Sequence, residues 1–393
     1  MSAQVMDETP PAASPASAGL GHEAEVRKEM RLVSSWWAWA GIAAFIVAGL
    51  FIPLSTSNAL MISLLTSGAV YGIGAIGMNV LNGYAGQVSM GHAFFVAVGA
   101  FTAVVAGSKW NWPLPAWLLA AAVVGAVTGA LVAPLALRLQ GIYQLILTLG
   151  LVYIGTYIFT NWTSVSGGDN GIAANLRLNL GSLNLGDLTI GSEQYSYSQG
   201  LLLVSWLLCG LCVLLVHNIM RSRAGRAMIA IRDGGLAAEV AGASPARTKI
   251  NVFALSSALA AVCGALLAAQ LQYVSINEFD WQLSIQFIVM IVVGGVGTSW
   301  GPVIGALAIS AVPLYITTYA AQIPFVKQPT GSSGGFGIMP GQLSLVVYGL
   351  LLAVFLVLQP RGLVGLATGI ARPVARRFPR RSTRRDRHGP VTS

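Results

Sequence analysis

The chain has 393 residues, of which 55% are hydrophobic and 9% charged, with a mean hydropathy of +0.71 and a formal net charge of +9. A water-soluble domain cannot cover that much apolar surface, so counting globular domains from length does not apply. The charge balance also demands an account, either orientation in a membrane or an anionic partner.

Residues 1–35 come first. Their opening stretch is rich in Pro, Ala and Ser, carries Asp7 and Glu8, and lacks the basic start and apolar centre of a signal peptide. It is expected to be a disordered cytoplasmic tail. A transmembrane domain over residues 36–360 follows, because a hydrocarbon core of ~30 Å needs ~20 apolar residues per helix. Ten spans are predicted, at residues 36–54, 60–81, 92–108, 114–137, 142–160, 200–218, 250–274, 283–297, 303–319 and 343–358. The fold class is therefore all-α and polytopic. Trp36, Trp37 and Trp39, and Trp110 with Trp112, suit the aromatic belts of the two interfaces.

Lys and Arg accumulate on the cytoplasmic side of membrane proteins. With both termini cytoplasmic, that side holds Arg27, Lys28, Arg31, Arg138, Arg221, Arg223, Arg226, Arg232, Arg247, Lys249 and nine arginines between Arg361 and Arg387, nineteen of the 22 basic residues. Lys109, Arg177 and Lys327 fall outside it. Orientation and anionic lipid explain the +9, and the tail at 361–393 is a lipid-facing basic segment rather than a nucleic-acid site.

No Asp, Glu, Lys or Arg lies away from the span ends. An ion-coupled pump keeps such residues inside as a relay, at ~2.5 to 3.5 kcal/mol each. A phosphate-binding loop of the Walker type needs a Gly-Lys dipeptide, and none occurs. Transport energy is thus expected from a separate ATPase, with no cofactor bound by this chain. Cys209 and Cys212 fall inside an apolar helix, as does Cys263, so they read as small buried thiols rather than a redox or zinc motif. No metal site, paired carboxylates or nucleophile with base is found, which argues against an enzyme.

Between the fifth and sixth predicted spans lies the external loop 161–199, with Asp169, Asp187 and Glu193 against Arg177. It could receive a solute-binding protein, or be simply a loop. Asn161-Trp-Thr163 also fits the glycosylation sequon. The segment 220–249 then reads as two short cytoplasmic helices, with Ala227 and Ile231 on one face, a break at Gly234 and Gly235, and a second turn ending at Gly242. Ser244 before Pro245 suits the N-cap of the next span. Such a helix pair can lie in a groove of a partner, or can be an ordinary interfacial helix.

Glycines recur at Gly68 and Gly72, Gly125 and Gly129, and Gly297, Gly301 and Gly305. Four-residue spacing lets helix backbones approach closely. Residues 82–92 and 294–302 can alternatively be helix breaks that expose backbone to a water-filled pathway. Pathway or break candidates are Gly83, Gly86, Gln87, Ser89, Gly91 and His92 in the first stretch, and Gly294, Gly295, Gly297, Thr298 and Gly301 in the second.

Leu236-Ala-Ala-Glu-Val-Ala-Gly242 resembles the coupling element of ABC importer permeases. Four further stretches, Asn82-Gly-Tyr-Ala-Gly-Gln-Val-Ser-Met-Gly-His-Ala-Phe-Phe95, Gly141-Ile-Tyr-Gln-Leu-Ile-Leu-Thr-Leu149, Gly294-Gly-Val-Gly-Thr-Ser-Trp-Gly-Pro-Val-Ile-Gly-Ala306 and Pro360-Arg-Gly-Leu-Val-Gly365, resemble the LivM-type branched-chain amino-acid permease family. The resemblance runs from about residue 59 to 365 and leaves out both tails. Gln144 departs from it, standing where an aromatic or small residue is expected. The resemblance implies Arg226, Ala237, Ala238, Glu239 and Gly242 as ATPase-coupling residues and adds Thr148 to the pathway candidates. It further implies a bacterial inner-membrane location and a second, LivH-like permease subunit. Two cytoplasmic ATPases holding ATP and magnesium, and a periplasmic binding protein delivering leucine, isoleucine or valine, complete the implied complex. Importers of urea, amides or other small organic solutes belong to the same superfamily and stay open as alternatives, as does a self-contained facilitator.

Overall fold

The computed structural model describes residues 58–139, 141–180, 183–186, 189–190, 193–240, 242, 244–319, 339–359 and 362–365. The first predicted span, 36–54, and both tails lie outside them. Among the described residues, eight helices are long and apolar enough to cross a membrane and a ninth, Trp281–Gly294, is shorter. These nine correspond one to one with the spans predicted from residue 60 onward. The protein is an all-α polytopic membrane protein.

Helix α1, Ala59–Asn79, opens on Asn58, whose side chain accepts from the Leu60 amide, and runs on as a π-helical turn, Val80–Tyr84. Helix α2, His92–Ala103, likewise continues as a π-helical turn, Val104–Lys109. After Pro113 comes α3, Leu114–Leu137, then α4, Ile142–Asn161, and α5, Tyr197–Arg221. The kinked α6, Arg223–Val240, precedes α7, Pro245–Leu271. Three helices close the described chain: α8, Trp281–Gly294, α9, Gly301–Thr318, and α10, Pro340–Leu358. A helix satisfies its own backbone polar groups, which hydrocarbon requires of any spanning segment.

Helix α7 forms the centre, packed on α1, α2 and α3, while α3, α4 and α10 turn rows of Leu, Ile, Val and Tyr outward. Little hydrophobic driving force separates helices in lipid, so close approach through small residues sets their arrangement. A Cβ on Gly129 of α3 would overlap Ser257 of α7, and one on Gly264 of α7 would run into the Val96 carbonyl of α2. Gly68 and Gly72 of α1 face Leu307 and Val303 of α9. The trio Gly297, Gly301 and Gly305 is not one helical row as the spacing predicts: Gly297 lies in the turn before α9, at φ 74°, and only the other two are helical. For the same reason the predicted span 283–297 ends at Gly294. Likewise the span predicted to reach residue 274 stops at Leu271, since Gln272 is left-handed and Tyr273–Val274 is a strand.

The chain reverses at two ends of the bundle. One carries residues 85–91, 295–300, 362–365 and α6. The other carries the segment after α4, where Ile172–Ala173 pairs antiparallel with Tyr273–Val274 (Ile172 opposite Val274) and two further antiparallel strand pairs set Asn179 opposite Asn184 and Thr189 opposite Gln194. That segment is tied down by Tyr197, whose hydroxyl donates to the Leu176 carbonyl at 2.9 Å, and by Trp117, whose indole N–H donates to Arg177 O at 3.4 Å.

Candidate functional site

The predicted stretches from opposite halves of the chain meet at the α6 end. The first turn, residues 85–91, leaves α1 through Gly86 at φ 65°, a conformation that costs an L-residue about 1–2 kcal/mol. The second, residues 295–300, is organised by Thr298, whose hydroxyl donates to the Gly295 carbonyl at 2.8 Å and accepts from the Gly301 amide at 3.1 Å, capping α9.

Asn79 joins them. Buried at 2% exposure, its side chain accepts from the Gly297 amide at 2.8 Å and donates to the Thr298 carbonyl at 2.9 Å. Gly83, one turn on, has no room for a Cβ between Asn79 and the Gly297 amide, which stands 2.8 Å from that position. Ser299 meets the His217 Nδ1 of α5 at 3.5 Å, and Gly362 lies against Gly294 and Gly295. Residues 362–365 thus start beside the second turn.

The other flank of the first turn is sewn to α4 and α8. Thr148 accepts from the Met90 amide at 3.0 Å, and its carbonyl fills the space beside Gly91. Gln144 donates to Gln87 at 3.4 Å, giving the unexpected glutamine of α4 a partner in the turn. Ser89 accepts from the Gly91 amide, His92 Nε2 bonds the Gly74 carbonyl at 2.8 Å, and Ser284 accepts from the Ala93 amide at 3.0 Å. Gln87, Ser89, His92 and Thr148 are all buried: Gln87 and Thr148 join the turn to α4, Ser89 bonds within the turn, and His92 links α2 to α1. The buried polar side chains among the described residues are Asn, Gln, Ser, Thr and His.

Helix α6 breaks at Gly234, where φ is −169° and ψ 80°. Its first half buries Met228 and leaves Arg223 and Arg226 exposed, the latter donating to the Arg221 carbonyl at 3.1 Å. In the second half Ala238 is buried and Glu239 exposed, and Gly242 closes the segment at φ 86° with its amide on the Glu239 carbonyl at 2.9 Å. The side chain of Ala237 lies outside the described residues. Ser244 precedes α7 as expected, without a capping bond from its hydroxyl. Arg232 lies against the first turn at Gly86, and its Nη1 donates at 2.6 Å to the carbonyl of Gly83 in the π-helical end of α1.

Asn79, Gln144, Arg232, Ser284 and Gly362 are the functional-site residues that sequence reasoning missed. Arg232 offered a signal, as the basic residue two positions before the Gly-Gly break. Asn79 offered only its place three residues ahead of the Asn82-Gly83 pair.

At the opposite end, α1, α5 and α7 border an open cavity of about 750 Å³ lined by Ser63, Thr66, Tyr197, Gln199, Gln270 and Gln272 among others, with no charged side chain. Gln270 donates to Ser67 at 2.7 Å. Cys209, Cys212 and Cys263 are buried free thiols.

The protein family described as branched-chain amino acid transport system / permease component matches residues 60–356. The high-affinity branched-chain amino acid transport system permease protein LivM of Salmonella typhimurium is 29% identical over 279 residues, covering 68% of this chain and 65% of that protein, and LivM of Escherichia coli matches to the same extent. The chain therefore spans about two-thirds, 65%, of the length of these relatives. LivH of Salmonella typhimurium, a permease protein of the same kind of system, is 26% identical over 267 residues, 65% of this chain and 84% of that protein. No solved structure matches. With the matched region running from α1 into α10 and taking in both turns and α6, the chain belongs to the branched-chain amino acid transport permease family.

Proposed function

We propose that this chain is one permease subunit of an ATP-binding-cassette importer in the bacterial inner membrane, forming half of a pathway for leucine, isoleucine and valine. The observation that carries the proposal is the packing of the kinked α6 on the ends of the spans and on the first turn. A helix so placed joins a surface a partner can grip to the backbone between spans. Its exposed Arg223, Arg226 and Glu239 suit a polar groove on an ATPase.

Orientation follows from charge. The α6 end gathers Arg138, Arg221, Arg223, Arg226, Arg232, Arg247 and Lys249, so it faces the cytoplasm, where two ATPases with ATP and magnesium dock. The opposite end then faces the periplasm, its tied-down segment with exposed Asp169 receives a solute-binding protein, and the uncharged 750 Å³ cavity accepts a solute without net charge. A second permease resembling LivH completes the pathway.

Uptake of labelled leucine in cells deleted for this chain and then complemented tests the assignment. Complementation should restore uptake, and unlabelled isoleucine and valine should compete while urea does not. Competition by urea and none by valine would move the chain to an importer of a different solute.

A further inference from the structure

Resting on the importer reading, we propose that Arg232 is the positioning residue through which displacement of α6 reaches both turns, with Asn79 carrying it from the first to the second. Two contacts place it, and the second turn lies close by. Its guanidinium donates to the Gly83 carbonyl at 2.6 Å, a charge-assisted bond stronger than a neutral one. Its stem fills the space that a side chain at Gly86 would need, the Arg232 Cγ standing 2.9 Å from that Cβ position, so the turn is shaped around it. The same Nη1 lies 4.0 Å from the Cβ position of Gly297, whose amide Asn79 holds at 2.8 Å.

Arg226 turns back to the Arg221 carbonyl, whereas Arg232, itself part-exposed, reaches across to the Gly83 carbonyl of α1. Asp233 lies 3.7 Å from Arg232 Nε with both side chains exposed, so this ion pair adds little. Gly234 breaks the helix two residues after Arg232, which leaves the half that carries Arg232 free to pivot against the half that carries Glu239. Because Asn79 belongs to α1 while Gly297 and Thr298 lie between α8 and α9, a pull on Gly83 moves three spans together. Lysine keeps the charge and one donor but not the planar fork or its packing, so it is an intermediate replacement.

The test is the number of leucine molecules transported per ATP hydrolysed, measured in proteoliposomes holding this chain, the partner permease, the ATPases and loaded binding protein. Arg232→Ala should lower that ratio about tenfold while hydrolysis stays within about twofold of the native complex, the size expected for losing one charge-assisted hydrogen bond. Arg232→Lys should give an intermediate ratio. Asn79→Leu, which cuts the bridge to the second turn without touching α6, should lower the ratio as well. An unchanged ratio in Arg232→Ala overturns the proposal. So does a parallel fall of hydrolysis and transport, which makes Arg232 part of the ATPase grip alone. If Arg232→Ala fails to assemble, the ratios of Arg232→Lys and Asn79→Leu decide by the same criteria. A native complex without ATP-dependent uptake removes the importer reading instead, a different result from any of these.

Discussion

The two ends of the bundle are built on opposite plans. At the α6 end the turns are short, Gly91 is pressed against the Thr148 backbone and Gly86 against the Arg232 stem, and side chains bond backbone groups far away in sequence, the buried Asn79 to Thr298 and the part-exposed Arg232 to Gly83. At the other end a longer segment is laid over the helices in paired two-residue strands, and it is held by anchors such as Tyr197 and Trp117 beside an open, uncharged cavity. The difference teaches where this chain can vary. Side chains reaching between helices tie together the turns of one end, whereas backbone pairing and two aromatic donors tie down the segment of the other.

The contrast breaks most readily in the core that supports both ends. Gly264→Leu drives a side chain into the Val96 carbonyl, and no rotamer relieves a clash with backbone. Overpacking of this kind costs about 1–3 kcal/mol or more, so the yield of monodisperse protein in detergent size-exclusion chromatography should collapse. At the α6 end, Gly86→Ala imposes a strained left-handed residue and presses on Arg232. A cost of about 1–2 kcal/mol is expected, read as a lower melting temperature together with a loss of leucine uptake. If Gly86→Ala proves neutral for both, the α6 end is no more constrained than the other.

Smaller effects sharpen the comparison. Gln87→Leu removes the partner of Gln144 in the first turn, a bond of 3.4 Å, and should cost about 0.5–1.5 kcal/mol in thermal stability, with uptake cut and assembly retained. Unchanged uptake would remove Gln87 from the working machinery. Tyr197→Phe deletes the bond to the Leu176 carbonyl at the opposite end. A similar loss of about 0.5–1.5 kcal/mol is expected, without effect on the coupling of hydrolysis to transport. A change in coupling from Tyr197→Phe would contradict the division between the ends.

How much of this was legible in the sequence follows the same division. Spans show as apolar runs because lipid reads composition alone, and the break at Gly234 was visible because two adjacent glycines interrupt a helical pattern. The two turns were visible as Gly-rich stretches, but their partners were not. Asn79 and the amide it holds are 218 residues apart, and Arg232 is 149 residues from Gly83, separations at which no local periodicity connects them. The π-helical continuations at Val80–Tyr84 and Val104–Lys109 also left no pattern, since one wider turn barely alters the apolar spacing. Gln87 and Ser89 show how a polar residue in a membrane turn can be read two ways: their types suit a wet pathway, while here both are buried, Gln87 bonded to α4 and Ser89 within its own turn.

The central claim is that this chain converts hydrolysis by partner ATPases into solute movement through α6. It is tested most directly in liposomes, by ATP hydrolysis and leucine uptake for the full complex and for the same components without this chain. The account predicts that both activities need the chain and that both vanish when Glu239 and Gly242 are replaced by Arg. Leucine movement down its gradient through the chain alone, without ATP and indifferent to those replacements, would contradict it.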